Sequence, residues 1–70
     1  MKAKRKFTVV IERDEGGSYL ASIPALRGCY TQAKSLDALM ERTREVIELC
    51  LEAGEIPETL ELVGIQQISV

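Results

Sequence analysis

Histidine and tryptophan are absent from this sequence, and phenylalanine occurs only once. Without histidine there is no imidazole to work as a general base near neutral pH or to activate a serine or cysteine nucleophile. Sulfur comes only from Cys29 and Cys50, so a zinc site would have to be completed by carboxylates. Two cysteines also fall short of the frameworks that brace small secreted domains. No stretch approaches the ~20 apolar residues of a membrane-spanning helix. The basic start, Met1-Lys2-Ala3-Lys4-Arg5-Lys6, leads into a short strand-like run rather than the apolar core of a secretory signal. We therefore expect a cytoplasmic chain without metal or cofactor. Its two thiols are read as reduced, small buried hydrophobes.

What remains is a 70-residue chain, 46% hydrophobic and 29% charged. That length supports one domain, spanning residues 1–70 with a basic tail at 1–6. So short a chain buries only ~60% of the surface its unfolded form exposes, and its core is thin. Self-association, as a homodimer or homotetramer, is the expected supplement.

The net charge of −2 conceals a strong polarity. Residues 1–34 carry seven bases and three acids, a balance of +4, whereas residues 35–70 carry two bases and eight acids, a balance of −6. Charge separated in this way bears on the choice of partner.

Phe7 to Arg13 alternates, with Phe7, Val9 and Ile11 on one face, the pattern of a half-buried strand. Asp14-Glu15-Gly16-Gly17 is a turn, and Ser18 to Ile23 alternates again, so the two runs predict a hairpin. Pro24 ends the second strand. Cys29 to Gln32 is short and β-prone and predicts a third strand. Ser35 is a good helix N-cap, with Asp37 in the first turn where the dipole favours an acid. Leu36, Leu39, Met40, Thr43, Val46, Ile47, Cys50 and Leu51 then recur at helical spacing, which predicts a helix over about 35–53 with one apolar face. Gly54 is placed to close it. Thr59 to Val63 and Ile65 to Val70 predict one or two final strands. The order β-β-β-α-β gives an α+β domain, a mainly antiparallel sheet with one helix on one face. Val10 and Leu20 would then lie on the uncovered face.

Chemistry-bearing constellations are few. Gly16-Gly17 sits in a hairpin turn, not at the strand-to-helix junction a phosphate loop requires. Glu12, Asp14 and Glu15 gather at a strand end without an evident further acid, and read as a solvated hairpin tip. Lys2, Lys4, Arg5 and Lys6 would suit phosphates, but Phe7 alone does not make a stacking platform. The most informative pattern lies on the helix. At ~100° per residue, Asp37, Glu41, Glu45, Glu48 and Glu52 fall within one ~80° sector beside the apolar face. Like charges four residues apart weaken a helix, and Glu52 stands at the unfavourable end of the dipole. A stripe that opposes its own helix suggests a basic partner, and Leu49 beside it is an apolar residue such a partner would cover.

The run Gly17-Ser18-Tyr19-Leu20-Ala21-Ser22-Ile23-Pro24-Ala25-Leu26-Arg27-Gly28-Cys29-Tyr30-Thr31 resembles the HicB antitoxin family, in which a hairpin strand leads into a Pro-x-Leu-x-Gly-Cys segment. Lys34-Ser35-Leu36 matches the family's helix start, and Arg44-Glu45-Val46-Ile47-Glu48 resembles its Arg-Glu-Ala-Ile-Glu pattern. The likeness covers residues 7 to about 60. It implies a partial, degenerate RNase H-like fold without nuclease carboxylates. It further implies that the chain neutralises a small basic RNA-cleaving toxin, HicA-like in kind, by covering its surface. Ala33 departs from the glycine usual before the helix. Full-length members often carry a C-terminal DNA-binding domain, which we do not expect here. The acidic stripe and the residue beside it, Asp37, Glu41, Glu45, Glu48, Leu49 and Glu52, are the residues we expect to bind the partner. An orphan homo-oligomer of unknown ligand, or a weak nucleic-acid binder acting through Lys2 to Lys6, is the alternative.

Overall fold

The computed structural model describes residues 5–70. Three strands, β1 (Val10–Arg13), β2 (Tyr19–Ser22) and β3 (Tyr30–Ala33), precede one helix, α1 (Leu36–Glu52). The strands form an antiparallel sheet in the order β1-β2-β3, with Ile11 opposite Ala21 and Ala21 opposite Thr31. This is the expected α+β arrangement of a sheet with one helix across one face.

Local chemistry explains each boundary. In the β1–β2 turn, Asp14 Oδ1 accepts from the Ser18 N–H at 2.9 Å, and Gly17 takes a φ of 86°. The β1–β2 ladder stops at Val10, because continuing its register would set Thr8 against Pro24, which has no N–H to give. Phe7 to Val9 therefore approach β1 without joining the ladder. Ser35 caps α1, its Oγ accepting from Ala38 N at 3.2 Å. At the other end Glu55 N donates to Cys50 O and Gly54 N to Leu51 O, with Gly54 at a φ of 94°. That pair of bonds is the Schellman arrangement, which satisfies carbonyls the helix leaves open.

The core has two parts. Ala21, Ala33 and Leu39 pack together under the first half of α1, with Val9, Tyr19 and Ala38 around them. Ile23, Leu26 and Cys29 form the second part under the last turns, against Phe7, Val46, Ile47, Cys50 and Leu51. The segment between β2 and β3 folds back on itself: Leu26 N donates to Ile23 O, Cys29 N to Leu26 O and Ile23 N to Cys29 O. Its apex side chain, Leu26, is among the most deeply buried in the chain. Ala33 lies at the end of β3 opposite Tyr19 with ordinary extended geometry, so no glycine is required there.

Four expectations are corrected. The predicted final strands do not form: residues 55–70 carry no strand, because nothing within the chain pairs with them. The cysteines are not free thiols, since Cys29 and Cys50 are joined as a disulfide. The fold-back brings the loop under the helix and sets their Cα atoms 6.8 Å apart across a sequence separation of 21, within bridging range. Leu36 and Met40 are 48% and 45% exposed, outside the core to which their periodicity assigned them. Helical spacing marks a face but not how far the sheet extends beneath it. Finally, Val10 and Leu20 on the open sheet face are half-buried rather than fully exposed.

Leu26→Ala should destabilise the fold by about 2–5 kcal/mol, measured by urea unfolding, because it empties the space between loop and helix. Reduction should lower stability by roughly 3 kcal/mol, as expected for a closed loop of this length, and Cys50→Ser should abolish the response to reductant. The hydroxyl of Thr43 is buried without a hydrogen-bond partner. Thr43→Val should therefore leave stability unchanged or raise it by about 1 kcal/mol.

Candidate functional site

The acidic stripe exists because the helix period returns each carboxylate to one outward-facing sector while Leu39 and Thr43 turn to the sheet. Asp37, Glu41, Glu45, Glu48 and Glu52 are all exposed, as is Leu49 at 62%. Among the described residues the ion pair within 4.0 Å joins Arg27 to Glu58, and none neutralises the stripe. Arg44, on the same helix, makes no such pair among the described residues.

The structure divides the six predicted residues. Glu41, Glu45 and Leu49 line one groove, where α1 runs alongside the open edge of β3. Thr31, Ala38, Arg42 and Val46 complete its lining. Arg42 Nη1 donates to Gln32 O at 3.3 Å and so covers one carbonyl of the β3 edge. Glu48 turns to the other flank, into a concavity with Arg44, Met40 and Phe7. Asp37 and Glu52 line neither hollow, standing at the two ends of the helix.

The groove brings Leu49 and Val46 together with the carboxylates of Glu41 and Glu45, beside a strand edge that has no partner strand among the described residues. Thr31 and Ala38 could not be found from sequence, since their place beside Leu49 depends on how the helix crosses the sheet. Val46 was visible in the helical period, but only as core.

Glu12 and Asp14 remain at the exposed hairpin end, where Asp14 serves the turn. Among the described residues no three His, Cys, Asp or Glu side chains gather as a metal site, and no helix is long and apolar enough to cross a membrane. Lys2 and Lys4 lie outside the described residues. Arg5 stands over the Phe7 ring, 5.9 Å from its centroid.

A family model described as the HicB-like antitoxin of bacterial toxin–antitoxin systems matches residues 7–68. A UPF0150 protein of Synechocystis is 51% identical over 67 residues, covering 96% of this chain and 97% of the relative. One from Archaeoglobus fulgidus is 54% identical over 65 residues, covering 93% and 94%. Another from Thermotoga maritima is 38% identical over 73 aligned positions, covering 100% and 97%. The match takes in the hairpin, the Pro24–Cys29 fold-back and the whole of α1, and the chain belongs to the HicB-like antitoxin family.

Proposed function

We propose that this chain is a non-catalytic antitoxin that binds a small, basic, RNA-cleaving toxin of the HicA kind through the groove between α1 and β3. The observation that carries the reading is the meeting of Glu41, Glu45 and Leu49 in one exposed groove beside an open strand edge. Family membership supplies the toxin–antitoxin context. The separation of charge adds to it, since the acid-rich half of the chain includes the whole helix. A cationic partner would be steered to that side, which favours rapid and correctly oriented encounter more than final affinity. Leu49 provides the desolvated contact that persists after docking.

Occlusion rather than chemistry is supported by the side chains available. The chain has no histidine, and its two thiols are joined to each other. The carboxylates of the stripe point outward from one helix and do not converge on a point where a phosphodiester would react.

Binding to a basic RNA-cleaving toxin, followed by surface plasmon resonance at several salt concentrations, tests the groove. Glu41→Lys with Glu45→Lys should slow association at least tenfold at low salt and flatten its salt dependence, with the circular dichroism spectrum unchanged. Leu49→Ala should leave association nearly as it was and speed dissociation by roughly tenfold, equivalent to a loss of about 1.4 kcal/mol. Unaltered kinetics in the charge-reversed protein would remove the groove from the interface.

A further inference from the structure

The two ends of the Cys29–Cys50 bond sit in unlike surroundings. Cys29 closes the fold-back after β2: its N–H donates to Leu26 O at 3.1 Å and its carbonyl accepts from Ile23 N at 3.3 Å. With Leu26 N also bonded to Ile23 O and the Leu26 side chain buried, that loop is braced within itself. Cys50 stands in the last turn of α1, where the helix has less to hold it. No basic residue occupies that turn, while Glu48, Glu52 and Glu55 lie in or beside it, all exposed. The negative end of the helix dipole disfavours acids there. Leu49 is 62% exposed and adds little packing to the body.

Other links to this end are few. Leu51 is half-buried against the Ile23, Leu26 and Cys29 cluster. Among the described residues, the polar links from the fold-back to the segment after the helix are Glu58 N to Ala25 O at 2.8 Å and the Arg27–Glu58 ion pair at 3.0 Å. The Arg27 side chain is 84% exposed, and an ion pair so open to water contributes little. A covalent bond that closes a loop of separation 21 outweighs both links. The first half of the helix is held differently. Leu39 packs with Ala21 and Ala33 in a separate cluster that contains neither cysteine.

We propose that the Cys29–Cys50 disulfide is a thiol-reducible latch on the groove. Closed, it holds residues 48–53 of α1 in place and keeps Leu49 beside Thr31. Opened by a dithiol reductant, it lets those residues fray while the sheet, the fold-back and the helix up to Ile47 stay folded. Cys29 is 5% exposed and Cys50 is half-buried, so attack falls on the Cys50 sulfur. A reductant thiolate bonds to Cys50 Sγ, the disulfide breaks, and Cys29 leaves as a thiolate that takes up a proton. The second reductant thiolate then displaces Cys50, which is protonated in turn. The dithiol gives up two electrons and two protons and becomes a disulfide; the cysteine pair gains both and becomes two thiols. Reverse exchange with an oxidised dithiol closes the latch again.

The consequence for binding rests on the reading of the groove as the toxin site. Glu41 and Glu45 precede the released residues and keep their place, so steering of a cationic partner persists. Leu49 leaves the groove, and with it goes the contact that slows dissociation. The redox state of one cysteine pair thus sets how long a toxin stays bound, not how fast it arrives.

The full chain, oxidised and then in dithiothreitol, provides the test. Backbone NMR of the oxidised chain should show α1 helical to Glu52. In the reduced chain, helical Cα shifts should persist from Leu36 to Ile47, together with the Ala21–Leu39 contacts, and fall by at least half over residues 48–53. Cys50→Ser should resemble the reduced chain and ignore dithiothreitol; if that variant fails to fold, the reduced wild type decides. On a basic RNA-cleaving toxin without cysteine, reduction should speed dissociation roughly tenfold and leave association unchanged. In Leu49→Ala, whose anchor is already gone, reduction should add less than twofold. A helix unchanged to Glu52 on reduction, a reduced chain that unfolds throughout, or unaltered dissociation from a toxin that the oxidised chain binds would each overturn the latch. An oxidised chain that binds no such toxin would instead remove the groove reading, and the NMR comparison alone would then decide the latch.

Discussion

Burial of Leu26 between the sheet and the last turns of α1 is the contact on which the other elements depend. The Pro24–Gly28 fold-back exists to deliver that side chain, closed by Ile23, Leu26 and Cys29 main-chain bonds and by Gly28 at a φ of 76°. A side chain with a Cβ would be strained at that φ even though the space is open. Once Leu26 is seated, Cys29 lies against Cys50 and the disulfide ties loop to helix. The Pro-x-Leu-x-Gly-Cys pattern that carries the family likeness is thus architectural. Conserving it would preserve the seat of the helix rather than any reacting group.

Seating the helix by its C-terminal half has a consequence for the whole layer. The loop draws α1 over β3 and β2, and the β1 side is left thin. In a sheet of three short strands there is too little apolar surface to cover both flanks of a 17-residue helix. One flank becomes the groove of Thr31, Glu41, Glu45 and Leu49; the other becomes the open shelf of Ile11, Leu36 and Met40. The two differ in kind. The groove carries the carboxylates of Glu41 and Glu45, whereas the shelf is apolar.

Stacking acids on one helix flank weakens the helix by a few tenths of a kcal/mol for each i,i+4 repulsion, a modest cost when tertiary packing and a disulfide hold the helix in place. The stripe is thereby free to remain unneutralised, with no ion pair among the described residues to screen it.

The periods of the chain and its capping residues determined the hairpin, the third strand and the helix with its ends at Ser35 and Gly54. They did so because alternation, helical spacing and caps are local: each is written within a few residues and needs no distant partner. The acidic stripe was legible for the same reason. Tertiary structure alone decided that Cys29 meets Cys50, that Thr31 and Leu49 line one groove, and that Leu36 and Met40 stay exposed. It also decided that residues 59–70, strand-like in composition, find no strand beside them. Those outcomes turn on where the Leu26 plug sets the helix and on how many strands lie beneath it. Pairing across the fold is a property of two segments at once, and neither segment carries it by itself.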